Sequence, residues 1–284
     1  MKNRKWMGPA LIVVCLVVFF GYRMLDRMRT DTVAPKFHME ENAPQVSVSD
    51  METALLQGVT ATDDRDGDVT DSVLIESIKI VDADGMVTVA YAAFDRSGNV
   101  AKAERQVLLT DYTSPRFSLS APLIFRQNQA VDLQSRISAQ DVFDGDITHR
   151  IRATNLSGTT ISDQGSYEVE FRVSNSLGDT VILQLPVESI ASGAYDGTLS
   201  LSDYLVYVPA GSEFAPESYL TTYAVAGTSV DLSSGIPEDY SLEISGHVDT
   251  DTPGVYDITY KVTYTAQEVR GYTGYTRLIV VVEG

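Results

Sequence analysis

The hydrophobic pattern of the chain has a period of two. Tyr167, Val169, Phe171 and Val173 alternate with Glu168, Glu170 and Arg172, the order a strand needs when one face is buried and the other wet. The same alternation stands at Val87, Val89, Tyr91 and Ala93, and again at Tyr256, Ile258, Tyr260 and Val262. Each run starts behind a turn glycine, Gly85, Gly165 or Gly254. "RSGN" at 96–99 and "SLGD" at 176–179 close the first two runs and lead into "VAKAERQVLL" and "TVILQLPVES", which predicts β-hairpins. Outside the first thirty residues no window of comparable strength has helical period.

The runs recur at a fixed interval. "DTVAPKF" at 31–37 aligns with "DYTSPRF" at 111–117, pairing Asp31 with Asp111, Pro35 with Pro115 and Phe37 with Phe117, each 80 positions apart. Gly85 and Gly165 keep that offset, and Gly254 opens a third copy 89 positions further on. Repetition at this period predicts an all-β chain of three tandem β-sandwiches, spanning 31–112, 113–191 and 192–284. The link "TDYTSPRF" contains no glycine, and Pro115 restricts Ser114, so a stiff connection is expected.

Residues 1–30 are of another kind. Lys2, Arg4 and Lys5 precede 17 uncharged residues, 6–22, which end before Arg23. That length is at the short end for a membrane-crossing helix. Phe19 lies beside the only small residue suited to a signal cleavage site, Gly21, so an uncleaved anchor is expected rather than a removed signal peptide. Val14 stands where a lipoprotein signal has a small residue, which leaves Cys15 a small hydrophobe of the anchor. The positive-inside bias of the flanks is slight, but five residues are too few to form anything outside, so a cytoplasmic stub and an exported C-terminal part are the economical orientation.

Charge narrows the partners. The formal net charge is −18, which repels nucleic acid and anionic lipid. The one cysteine lies in the anchor, so each exported domain must be stabilised by its core alone, a style that fits bacterial export.

The order D-x-x-x-P-x-F, then "GVTATDDRDGDVTDSV", then G-x-[VY]-x-[VI]-x-[YF], then D-x-x-G-N resembles the bacterial immunoglobulin-like repeats related to hyalin repeats, found on surface proteins of Gram-positive cells. The third copy, with "GSEFAPESY" and "GHVDTDTPGVYDITYKV", is similar to a neighbouring variety of that group. The resemblance covers about 31 to 284 and implies immunoglobulin-like sandwiches and an extracellular location. It implies little about activity.

Two acidic loops punctuate the repeats, with Asp64, Asp66 and Asp68 around Gly67, and Asp141, Asp144 and Asp146 around Gly145. Calcium is one reading, because clustered Asp oxygens suit a hard cation. An EF-hand does not fit: counted from Asp64, the twelfth residue is Ile75 rather than Glu. The preferred reading is a structural clasp in which the carboxylates fold onto nearby backbone N–H groups, each glycine takes a positive φ, and Thr70 and Thr148 begin the next strand. The third copy lacks the loop. Catalysis is disfavoured, since no His, Ser or Cys partner recurs with the carboxylates, His38, His149 and His247 are isolated, and no nucleotide or hydrolase motif is present.

The expectation is therefore a non-enzymatic, single-pass membrane protein of the bacterial surface, presenting its domains as a stiff arm to a protein or glycan. An accessory subunit docking on another envelope protein is the alternative. Eleven of 15 tyrosines lie from Tyr195 onward, and "AQEVRGYTGYTR" places Arg270, Tyr272, Tyr275 and Arg277 in a long hairpin excursion. Tyr and Arg are the side chains that anchor interfaces, so these four are the candidate contact residues.

Overall fold

The computed structural model describes residues 7–29, 31–39, 43–82, 84–154, 161–265 and 272–284. Its strands form six sheets, a three-stranded and a four-stranded one in each of three successive stretches. In the first, Lys36–Met39, Val59–Asp63 and Gly67–Asp68 face Gln45–Val46, Val100–Leu109, Met86–Phe94 and Leu74–Ile80. The second repeats this order with Arg116–Leu119, Ile137–Asp141 and Gly145–Asp146 against Ile124–Arg126, Thr180–Ile190, Gly165–Ser174 and Arg152–Ala153. In the third, Thr198–Leu201, Leu220–Val225 and Thr228–Asp231 face Leu205–Pro209, Thr273–Glu283, Gly254–Tyr264 and Tyr240–Ser245. This is the all-β, immunoglobulin-like arrangement.

In each four-stranded sheet one pairing is parallel: Gln45–Val46 with Leu108–Leu109, Ile124–Arg126 with Glu188–Ile190, and Leu205–Pro209 with Ile279–Glu283. The long hairpins are antiparallel and hold the residues the period-two pattern marked. Val87, Val89, Tyr91 and Ala93 are fully buried, as are Val169 and Phe171, Tyr260 and Val262. Gly98 and Gly178, at the hairpin turns, both take φ near +90° (85° and 90°), a region open to glycine at little cost.

The chain divides into two compact units, Met1–Tyr112 and Thr113–Gly284. The expected boundary between 191 and 192 falls inside the second. The reason is a shared core: Leu205 and Ile279 of the third pair of sheets lie in the cluster built by Phe117, Phe125, Phe171 and Leu185 of the second. Polar contacts join the same two pairs of sheets: the Tyr207 hydroxyl accepts the Phe117 N–H at 2.9 Å, and Arg116 meets Glu283 at 2.7 Å.

Met7–Arg29 is a helix of 23 residues, about 34 Å at 1.5 Å per residue. Side chains are described for 11–24, and among the described residues no helix is long and apolar enough to cross a membrane. Leu11, Val13, Val17, Phe19 and Phe20 are each 56–67% exposed.

Candidate metal centre

Alternation along Val59–Asp63 places Val59, Ala61 and Asp63 inward, so a carboxylate occupies a core-facing position at the strand end. Asp95 follows Met86–Phe94 immediately, and Asp31 lies five residues before Lys36–Met39. These separate segments bring one oxygen from each of the three carboxylates to within 4.8 Å of the others. Asp31, Asp63 and Asp95 are only 7%, 8% and 8% exposed.

Local hydrogen bonds fix each carboxylate. Asp31 Oδ1 accepts the Val33 N–H at 3.0 Å. Asp63 Oδ1 accepts the N–H groups of Arg65 and Asp66, both at 2.9 Å, and these donors, Asp66 first, hold its carboxyl below the usual carboxylate range. Asp95 is gripped by the backbone and side-chain nitrogens of Asn99 at 2.7 and 2.6 Å. The second oxygens of Asp31 and Asp63 are buried with no hydrogen-bond partner among the described residues. Like charges this close and this dry oppose one another unless a cation or protons intervene.

The second pair of sheets shows the same corner with one change. Asn175 follows Gly165–Ser174 as Asp95 follows its strand, and Asp141 ends Ile137–Asp141 as Asp63 does. The Asn175 amide donates to Asp141 Oδ2 at 3.0 Å, so the strand-end carboxylate there is satisfied by a neutral neighbour. Asp111, the counterpart of Asp31 in the repeat, accepts the Val48 N–H and the Ser47 hydroxyl, both at 2.7 Å. In the third pair the corresponding strand end is Val225 and the residue after Gly254–Tyr264 is Thr265. Ala226 and Gly227, at φ 48° and 84°, form the two-residue turn there, a primed hairpin geometry that needs no acidic loop.

The acidic residues singled out from the sequence are turned onto the protein itself. Asp68 Oδ1 accepts the Thr70 N–H and Asp146 Oδ1 the Thr148 N–H, each at 2.9 Å. Asp66 accepts the Arg96 N–H at 2.8 Å. Asp144 takes the Ser176 N–H and hydroxyl at 2.6 and 2.7 Å and pairs with Arg150. Asp141 Oδ1 is occupied by Phe143 and Asp144 N–H, and Asp64 is exposed. Gly67 and Gly145 take φ of 73° and 70°. Thr70 and Thr148 open short 3-10 turns, Thr70–Ser72 and Thr148–Arg150, rather than strands. Their hydroxyls accept the N–H of Ala61 and Ala139 at 3.1 Å, which bends the chain out of the sheet. In the two loops, apart from the exposed Asp64, the carboxylates of Asp66, Asp68, Asp141, Asp144 and Asp146 thus accept from protein donors, whereas the three that converge among the described residues are Asp31, Asp63 and Asp95. An inward Asp at the end of an alternating strand was the available signal for Asp63.

The candidate contact residues separate too. Arg270 lies outside the described residues, and Tyr272 is 43% exposed. Tyr275 and Arg277 are engaged within the Thr113–Gly284 unit and are not an exposed contact surface. Both meet Glu188 Oε2, at 2.8 and 3.0 Å, and Tyr275 stacks on Tyr195 with centroids 4.9 Å apart. Burial first, then the Glu188 carboxylate, pushes the Tyr275 phenol up to about 12. A cleft of about 440 Å³ beside Ile137, Thr148, His149, Arg152 and Phe171 contains a histidine but no carboxylate partner for acid–base chemistry.

No protein-family model matches the chain, so the finer resemblance to hyalin-related repeats has no such support. Over 208 residues it is 26% identical to the pesticidal crystal protein Cry22Aa of Bacillus thuringiensis, covering 72% of this chain. The chain spans about a quarter of that relative's length, 27%. Among solved structures it is similar to CBM51-2 in complex with GlcNAc and INT domains from Clostridium perfringens ZmpB, at 19% identity over 87% of this chain and 41% of that one, TM-score 0.23. It is also similar to Drosophila N-cadherin EC1-3, at 10% identity over 86% of this chain and 98% of that one, TM-score 0.31. Scores this low carry nothing about site or ligand to this chain.

Proposed function

We propose that the chain is a non-enzymatic, membrane-anchored protein of a bacterial surface, presenting immunoglobulin-like sandwiches as a stiff arm that binds a protein or glycan. The observation that supports this reading best is the shared core of Thr113–Gly284, in which Leu205 and Ile279 pack among second-pair residues. Burial of large apolar side chains across a junction removes the free hinge expected of linked domains, and a body without a hinge holds its outer surface at a fixed place. The anchor half rests on the uncharged run 6–22 and on the exposure of Leu11–Phe20, apolar surface that is costly in water, although among the described residues no helix is by itself long and apolar enough to cross a membrane.

Fractionation of bacteria expressing the full chain tests both halves. The protein should stay with membranes through an alkaline carbonate wash, and protease added to intact cells should remove epitopes placed at 284. Release by carbonate would end the anchor, and an epitope cut only after lysis would reverse the orientation. Spin labels on the second and third pairs of sheets should give one narrow distance distribution; a broad one would end the stiff arm.

A further inference from the structure

We propose that Asp31, Asp63 and Asp95 hold one Ca²⁺ ion, which fastens the segment following the N-terminal helix to the first pair of sheets. The inference rests on convergence together with unmet bonding. Three carboxylates from three segments meet within 4.8 Å, all more than nine-tenths buried, and the free Oδ2 atoms of Asp31 and Asp63 have no donor. An acidic loop that only shapes a turn has no such remainder, as Asp68 and Asp146 illustrate with their Thr70 and Thr148 N–H partners.

The donor set selects the ion. Carboxylate oxygen alone, without imidazole or thiolate, suits a hard cation rather than zinc or copper. Ca²⁺ takes six to eight oxygens in an adaptable shell, which three carboxylates begin and water and carbonyl oxygens complete. The hydrogen bonds from Val33, Arg65, Asp66 and Asn99 aim the carboxylates beforehand, so little ordering is left to the ion. A Kd of about 0.1–1 mM, the range of Ca²⁺ sites in extracellular modules, is the affinity expected of such a site.

The fold supplies its own comparison. Where Asn175 replaces the third carboxylate, its amide satisfies Asp141 directly, and where Val225 and Thr265 stand no charge is present. One site per chain follows, in the first pair of sheets, and Asp31 is its link to the helix that ends at Arg29.

Calorimetric titration of CaCl₂ into the chelator-treated full chain in detergent micelles tests this, with thermal melting alongside. The wild type should bind about one Ca²⁺ per chain in the range above and melt higher with it. Asp95→Asn, which offers Asp63 an amide as Asn175 does for Asp141, should weaken binding at least about tenfold; so should Asp31→Asn, while Asp144→Asn leaves binding unchanged. In chelator, Asp95→Asn should melt no lower than wild type, because one of three opposed charges has gone. Absence of saturable binding up to about 10 mM, well above the range for such modules, would overturn the proposal. So would binding that survives both triad substitutions, or is lost in Asp144→Asn. A fall in melting temperature of Asp95→Asn that is equal with and without Ca²⁺ would reduce Asp95 to a cap of the Asn99 turn, and the site would be withdrawn.

Discussion

The Tyr275 hydroxyl donates to Glu188 at 2.8 Å, and the Arg277 guanidinium meets the same carboxylate oxygen at 3.0 Å. One oxygen thereby joins the last strand of the third pair of sheets to the long hairpin of the second. Arg277 also reaches Asp257 at 3.6 Å. Glu188→Ala removes the common acceptor and leaves a largely buried guanidinium with the longer Asp257 contact and the neighbouring Tyr275 phenol. The expected loss is about 1–2 kcal/mol, the lower part of the range for a buried charged hydrogen bond, because solvent reaches part of the site. Urea denaturation reads it: with a shared core, Thr113–Gly284 should unfold in one transition, at a lower midpoint in the variant.

Tyr272 and Tyr275 provide a contrast three residues apart. Tyr272→Ser exposes little that was hidden and should change the midpoint by less than about 0.5 kcal/mol. Tyr275→Ser loses the Glu188 bond and the stack on Tyr195 and should cost about 2–3 kcal/mol. Equal effects would mean that the two rings are not divided between surface and seam.

Tyr223 is fully buried, and its hydroxyl has no partner among the described residues. Its ring lies where Cβ atoms at Gly197 and Gly274 would come, 2.4 and 2.5 Å away. Tyr223→Phe keeps the ring and removes an unsatisfied polar atom, so stability should hold or rise by about 1 kcal/mol. Gly274→Ala should cost about 1–3 kcal/mol through overpacking. Thermal melts should fall for Gly274→Ala and stay level or rise for Tyr223→Phe.

The acidic clasps set an acid limit on stability. Thr70 and Thr148, through hydroxyl and then N–H, hold Asp68 and Asp146 below the ordinary carboxylate value. At Asp144 burial pushes upward, but the Ser176 hydroxyl and N–H and Arg150 outweigh it, and the result is also downward. Groups depressed in the folded state contribute stability that is complete above the unfolded value of about 3.9 and disappears as pH falls through the folded one. The urea midpoint should therefore be insensitive to these groups from pH 7 to about 5 and fall below about 4, less steeply in Asp146→Asn. A fall of equal steepness in that variant would assign the acid limit to other carboxylates.

The hairpins were legible because a half-buried strand writes its burial into every second residue, and Val87 to Ala93 or Val169 to Val173 carry that signal without interruption. The union of the second and third pairs was not, since Leu205 and Ile279 read as ordinary inward positions of their own strands and nothing local says whose core they enter. Tyr275 and Arg277 misled for a related reason: residues suited to an external partner serve equally at a seam within one chain. Arg105 is a similar case, an inward strand position whose guanidinium reaches the carbonyls of Leu55 and Gln57 and the Tyr91 hydroxyl, segments remote in sequence. The acidic loops were conspicuous because their residues are adjacent, whereas Asp31, Asp63 and Asp95 become neighbours only after the chain has folded.

The parallel pairing found once in each four-stranded sheet gives the chain a mechanical character. When its two partners are drawn toward opposite ends, an early strand and a late strand of one sheet are loaded in shear, so their hydrogen bonds must yield together rather than unzip in turn. Leu205–Pro209 shares five register pairs with Ile279–Glu283, Ile124–Arg126 three with Glu188–Ile190, and Gln45–Val46 two with Leu108–Leu109. Ranked by these pairs alone, the first sheet is expected to yield at the lowest force and the third at the highest, an order that single-molecule pulling on the full chain would read as successive extensions.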